Sequence, residues 1–214
     1  MKILNLYAGI GGNRKLWEGH EITAVEMNPE IAKVYADYFP DDELIIGDAH
    51  QYLLDHYDEF DFIWSSPPCQ THSRMVKATR HDIRKYPDMK LYQEIIFLRE
   101  FFLGKWIVEN VVPYYTPLIT PTAKHGRHLL WSNFSVPSVP KINYPNFIKA
   151  DSKEEIEKFK DWLGFKYDGN IYLDGNHSPA QVLRNCVHPE TGLHILNRAL
   201  EIKSQEDIKQ PKLF

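Results

Sequence analysis

Ile3-Leu4-Asn5-Leu6-Tyr7-Ala8-Gly9-Ile10-Gly11-Gly12 opens the chain with an apolar run that empties into a glycine turn. Ile3 to Tyr7 reads as a buried strand. Glycines directly after it let the backbone turn tightly and approach a ligand closely, in the crevice outside the strand's carboxyl end. Ile22 to Glu26, Leu44 to Ile46, Phe62 to Trp64 and Trp106 to Val111 read as four further strands. Helical patterns fall at about 29–38, 50–57 and 89–102. Pro29 suits a first helical turn, where its missing N–H costs nothing. Apolar strands alternating with helices predict a doubly wound α/β domain, its mostly parallel sheet covered on both faces.

The second half reads differently. His128 to Ser132 is another strand, and Pro137, Pro140 and Pro145 punctuate the loop after it. Ser152-Lys153-Glu154-Glu155 has the form of a capping box for a helix that Gly164 can end. A last helix is expected at about 192–203, followed by a polar tail. Residues 1–203 are therefore expected to form one catalytic domain, with 204–214 as a flexible tail.

Hydrophobic residues at 43% and charged residues at 25% are ordinary for a globular protein. No apolar run approaches the roughly 18 residues that span a bilayer, and the start lacks a charged leader with a cleavage site. Cys69 and Cys186 are the only cysteines, too few for a disulfide framework or a cysteine-rich zinc site. A monomer in a reducing cytoplasm, with no membrane and no metal, is the expectation. The net charge of -4 gives no bulk attraction to nucleic acid. Locally the balance reverses. Arg74, Lys77, Arg80, Arg84, Lys85 and Lys90 face only Asp82 and Asp88 within 71–90, a stretch suited to phosphates.

Three features at successive strand ends describe a nucleoside-binding crevice: the glycine turn, Glu26 and Asp48. A carboxylate at Glu26 can accept both hydroxyls of a ribose, and one at Asp48 can accept an adenine amino group. Ser65-Ser66-Pro67-Pro68-Cys69-Gln70 sits past the fourth strand, where the prolines restrict the backbone and hold the thiol in place. The fifth strand ends in Glu109-Asn110-Val111, which could set an acid beside that thiol.

In this order the motifs resemble the DNA cytosine-5 methyltransferase family, from residue 3 to about 200. The resemblance implies a Rossmann-like, S-adenosylmethionine-dependent fold. Asn5 to Gly12 looks like the first motif, Pro67-Pro68-Cys69-Gln70 the catalytic one, and Glu109-Asn110-Val111 the one supplying the acid. Lys124-His125-Gly126-Arg127-His128 looks like a variant of the eighth, with Arg127 matching its first arginine. Glu157 to Phe165 weakly resembles the ninth and Arg184-Asn185-Cys186-Val187-His188-Pro189 the tenth. By resemblance, Cys69 is the nucleophile, Glu109 the acid and Arg127 a support for the base. S-adenosylmethionine would be held by Tyr7, Ala8, Gly9, Gly11, Gly12, Glu26, Met27, Asp48, Ala49, Pro67, Asn185 and Val187. Nucleic acid would be met by Gln70, Ser73, Arg74, Lys77, Arg80, Arg84 and Lys85.

Two departures bear on the substrate. His125 stands where the eighth motif has its glutamine, and Leu129 where it has a second arginine. Only about residues 135–150 fill the place of the family's long target-recognition region, too few for an independent module. DNA is the expected substrate, read with short or relaxed specificity or with a separate recognition subunit, as in restriction-modification. One family branch methylates tRNA, and a non-catalytic cofactor-binding subunit is a further reading. Gln210-Pro211-Lys212-Leu213-Phe214 resembles the peptide by which bacterial replication proteins grip the sliding clamp.

Overall fold

The computed structural model describes residues 1–74, 86–137, 142, 152–173 and 178–201. Seven strands form one sheet: β1 (Lys2–Leu6), β2 (Glu21–Glu26), β3 (Glu43–Ile46), β4 (Phe62–Ser65), β5 (Lys105–Val111), β6 (Ala123–His125) and β7 (His128–Ser132). Their order is β3-β2-β1-β4-β5-β7-β6. The first five in this order are parallel. β7 runs antiparallel to β5, and β6 antiparallel to β7. The chain moves outward from β1 to β3, returns to β4 on the other side of β1, and moves outward again. The carboxyl ends of β1 and β4 therefore flank the switch point, where open α/β sheets bind ligands.

Alternation along each strand separates the two faces. Leu4, Leu6, Ile63, Trp106, Val108, Leu129 and Trp131 join one cluster with residues of α2 (Ala49–His56) and α3 (Lys90–Phe101). Ile3, Phe62, Trp64, Ile107 and Leu130 point the other way, onto Trp17 and the Ile195-Leu196 pair of α6 (Pro189–Ala199). α1 (Pro29–Tyr38), α4 (Lys153–Leu163) and α5 (Ala180–Asn185) share a third cluster around Tyr35, Phe159 and Phe165. Each such large side chain stabilises the fold by roughly 1.5–3 kcal/mol when fully buried.

Local chemistry sets the helix ends. α1 spans the expected 29–38, with Asn28 Oδ1 accepting from the Glu30 and Ile31 amides. α2 starts at Ala49, before the expected residue 50, because Asp48 accepts from the amides of His50 and Gln51. The capping box at Ser152 and the left-handed Gly164 are both present. The last helix begins at Pro189 rather than at about 192, with His188 as its N-cap. Gly192 lies inside it for a steric reason: a Cβ there would stand 2.1 Å from the Asn13 carbonyl oxygen. β6 and α5, three and six residues long, carry too few periods for the sequence pattern to show them. No helix among the described residues is long and apolar enough to cross a membrane.

The contact between Gly192 and Asn13 seats α6 on the turn after β1. Gly192→Ala should destabilise the protein by about 1–3 kcal/mol, read as a lower urea midpoint with unchanged slope. A midpoint equal to that of the parent chain would show that this close approach is dispensable.

Candidate active site

The turn after β1 is held from two sides. Tyr7, Gly9 and Gly11 all have positive φ, of 56°, 57° and 85°. For Tyr7 this conformation is strained, by roughly 1–3 kcal/mol, and its surroundings must enforce it. Glu26, at the end of β2, provides one restraint, accepting from the Gly9 amide through Oε2 and from the Asn28 amide through Oε1, each at 2.9 Å. Burial pushes its carboxyl up, while the amides of Asn28, Gly9 and Met27 oppose that shift. With three amides on it, the carboxylate keeps acceptor capacity for about one further donor.

A Cβ on Gly9 would meet nothing within 4 Å, so this part of the turn borders open space. Glu26 and Ile46 are register partners at the ends of β2 and β3. Met27 (60% exposed) and Ile46 (58% exposed) therefore leave apolar surface uncovered beside the crevice. Asp48 is next in line. Burial raises its pKa, but the Gln51 amide, the Lys90 ammonium 3.2 Å away and the His50 amide outweigh that and lower it. Ala49 is buried, and its side chain packs in the core with Leu53 rather than facing the crevice. The Pro67 side chain is buried as well.

Behind the turn stands a carboxylate that the sequence reading missed. Glu94 of α3 is fully buried and accepts from Tyr7 Oη (2.6 Å) and Ser65 Oγ (2.5 Å), with His50 Nδ1 at 3.0 Å. It joins the β1 turn, the end of β4 and the start of α2. An acid on the otherwise apolar, core-facing side of the helix was the available signal. Its charge and burial raise the Tyr7 phenol well above the ordinary range.

Cys69 lies past β4, in a loop fixed at both ends. Asn110 of β5, itself buried, donates through Nδ2 to the Pro67 carbonyl at 2.8 Å. The amides of His72 and Ser73 donate to the Cys69 carbonyl, and His72 Nδ1 lies 2.6 Å from Tyr115 Oη. Ser73 bridges to Pro113, and the Arg74 guanidinium donates to the Pro113 carbonyl. Gln70 and Arg74 are exposed. The expected contacts at Lys77, Arg80, Arg84 and Lys85 lie outside the described residues, as do 138–141, 143–150 and the tail from 202.

The charges of Glu109, in β5, and Arg127, between β6 and β7, both act on the thiol. Burial pushes the Cys69 thiol up to about 11, Glu109 adds to that shift and Arg127 opposes it. Glu109 is 7% exposed, and burial pushes its carboxyl up to about 7 against a hydrogen bond from Ser66 and the charge of Arg127. Cys69, Glu109 and Arg127 therefore share one field. Arg127 also donates to the Arg184 carbonyl at the end of α5. On the other side, the Val187 carbonyl would stand 2.5 Å from a Cβ on Gly12. Asn185 is exposed and accepts from Gln181. Residues 184–187 thus reach both the base side and the β1 turn. No cluster of three or more His, Cys, Asp or Glu suited to a metal occurs among the described residues.

The raised Glu109 carboxyl has a stability consequence of definite sign. The native state binds the proton more tightly than the unfolded chain, so stability falls as pH rises from about 4.5 to about 7. That loss is on the order of 3 kcal/mol. Glu109→Gln should therefore be more stable than the parent chain at pH 8, by up to about that amount, and lose the advantage by pH 4. Urea titrations at the two pH values measure it; a difference that stays constant would refute the buried-acid assignment.

The C-5 cytosine-specific DNA methylase model matches residues 1–113, just over half of the 214 residues. A tRNA (cytosine(38)-C(5))-methyltransferase of Spodoptera frugiperda is 35% identical over 80 residues, covering 34% of this chain and 24% of that protein. Its Homo sapiens counterpart is 32% identical over 82 residues, covering 35% and 21%. The chain thus matches less than a quarter of the length of these relatives. A crystal structure of a Spodoptera frugiperda DNMT2 mutant shares 32% identity, covers 51% of this chain and 35% of that one, and has a TM-score of 0.37. The family match carries the β1 turn, Glu26, Asp48, Cys69 and Glu109 together, and the chain belongs to the C-5 cytosine-specific DNA methylase family.

Proposed function

We propose that the chain transfers a methyl group to carbon 5 of a cytosine in DNA, with Cys69 as nucleophile. The observation that carries this reading is that a protonatable buried acid and a guanidinium both act electrostatically on one thiol beyond the parallel strands. S-adenosylmethionine, when bound, supplies an electrophilic methyl group. The residues of the first crevice fit it: open space beside Gly9, remaining acceptor capacity on Glu26, and uncovered apolar surface at Met27 and Ile46 that a purine could cover. Tyr7, Ala8, Gly11, Gly12, Asp48, Ala49, Pro67, Asn185 and Val187 complete the proposed lining, Ala49 through its backbone.

Carbon 5 of cytosine is a poor nucleophile. The Cys69 thiolate adds to carbon 6, and the ring's electron density moves towards carbon 5. Protonated Glu109 donates to ring nitrogen 3 and accepts from the exocyclic amine, stabilising the charge that develops there. Arg127 supports the base and favours the thiolate. The two protons are coupled. When Glu109 holds its proton, the charge that raises the Cys69 pKa is gone, so the base-binding form of the acid is also the form in which the thiol ionises most readily. After methyl transfer, loss of the carbon 5 proton and departure of Cys69 regenerate the site. The base must be unpaired or flipped out to reach this depth.

The relatives named above favour tRNA as a second substrate class. Labelled methyl transfer to DNA and to tRNA, run in parallel, separates the two, and transfer to DNA alone is expected. Cys69→Ser should abolish both transfer and the covalent adduct with 5-fluorocytosine DNA. Because the reactive form has Glu109 protonated and Cys69 ionised, kcat/KM should rise about tenfold per pH unit below pH 7 and level off above it. An active Cys69→Ser protein would overturn the mechanism.

Residues 1–203 are proposed as the catalytic unit, with 135–150 as a reduced recognition segment that leaves specificity short, relaxed or borrowed from a partner. The terminal Gln210-Pro211-Lys212-Leu213-Phe214 is proposed to grip a sliding clamp. Clamp pull-down by the full chain, lost on deleting 210–214, is the expected result; no pull-down by the full chain would end that idea.

A further inference from the structure

Glu109 is held between two side chains that the reaction scheme above does not use. On one side is Ser66, whose Oγ accepts from the Trp64 indole N–H at 2.8 Å and whose hydroxyl donates to Glu109. On the other is His128, the first residue of β7. The antiparallel register pairs Val111 with His128 and Glu109 with Leu130, so Glu109 and His128 are diagonal neighbours on one face of the sheet. His128 Nδ1 stands 3.4 Å from Glu109 Oε1, and each residue is only 7% exposed.

We propose that His128 is a positioning residue for the acid: its Nδ1–H donates to Oε1 of Glu109, so that the carboxyl proton is carried by Oε2. The proposal rests on the reading of Glu109 as the group that engages the base. A carboxyl with its proton on either oxygen has two orientations to offer, and only one serves a ring nitrogen. An N–H directed at Oε1 disfavours the other, since a carbonyl-type oxygen accepts better than a hydroxyl oxygen does. Oε1 is then the carbonyl-type oxygen and Oε2 the donor.

Charge confirms which kind of contact this is. Burial, Arg127 and His125 together push the His128 imidazole down to about 3, so at neutral pH it is an uncharged ring and the contact is no ion pair. Around the acid, the facing titratable or charged groups are Cys69 from the loop after β4, Arg127 from the β6–β7 turn and His128 itself, with His125 of β6 facing His128. A neutral donor orients the carboxyl without forcing it to ionise. A charged imidazolium would have held it as carboxylate.

The test starts with the parent protein. The 15N shifts of the His128 imidazole report which nitrogen bears hydrogen; the Nδ1–H form is expected, and the Nε2–H form overturns the proposal without any variant. A 13C titration of the Glu109 carboxyl, identified by its absence in Glu109→Gln, then reads the effect of removing the donor. His128→Phe should move the Glu109 titration to higher pH and lower kcat roughly 10- to 100-fold with little change in KM for S-adenosylmethionine. His128→Asn, which keeps an N–H near the Nδ1 position, should restore most of both. Equal titration and kcat in His128→Phe and parent would also overturn it. A parent protein that shows the Nδ1–H form and the raised titration but transfers no methyl group would instead sink the functional reading and leave the clasp standing.

Discussion

One carboxyl group in a dry place sets the conditions for everything around it. Glu109 holds a proton near neutral pH only because water is kept away; exposed, it would return to the ordinary carboxylate range. Exclusion of water requires β5 to be covered on both edges. β4 covers one edge through parallel pairing, but a sheet ending at β5 would leave the other open. The β6–β7 hairpin closes it, and the same hairpin delivers Arg127 at its turn and His128 at the first position of β7. The antiparallel pair thus supplies residues to the proposed site, although it falls beyond the stretch that the family model matches.

The opposite face of the sheet buries a second acid among different neighbours. Glu94 is as deeply placed as Glu109, but it is surrounded by Tyr7, Ser65 and His50. Taking away one partner of such a network would leave a buried polar group unsatisfied, at about 1–3 kcal/mol. The network restrains Tyr7 in its left-handed conformation from below while Glu26 restrains the turn from the crevice side. Two acids on opposite sides of one small sheet therefore differ in role because their neighbours differ. One is saturated with donors and supports a turn; the other has few and keeps a proton.

The parallel sheet was legible in the sequence because its signals are long and local. Five apolar runs, a proline at the start of α1 and the capping box of α4 each announce themselves within a few residues. Cys69 and Glu109 were legible for another reason: each follows or ends a strand whose place in the order could be inferred. Glu94 and His128 were not. A buried acid on α3 and a histidine opening β7 acquire meaning only from what lies across from them, and sequence spacing says nothing of that. The start of α6 was misplaced because Gly192 reads as a helix boundary, whereas the fold uses its missing side chain to admit the Asn13 carbonyl.

Arg127 raises the question of why a guanidinium beside a buried acid does not simply ionise it. A close pair of that kind lowers a carboxyl's pKa by one to three units. Here burial outweighs the guanidinium's charge, and Glu109 stays raised. The guanidinium donates to the Arg184 carbonyl, an atom belonging to the segment that also packs its Val187 carbonyl over Gly12. Its charge acts on both groups, easing ionisation of Cys69 and opposing the burial that raises Glu109. The same anchor ties the base side of the site to the turn proposed to hold the methyl donor. Fixed dipoles and charges need no rearrangement when the ring accumulates charge, which is the condition under which electrostatic stabilisation is most effective. The C-terminal segment, short as its helices are, thus touches both halves of the proposed site.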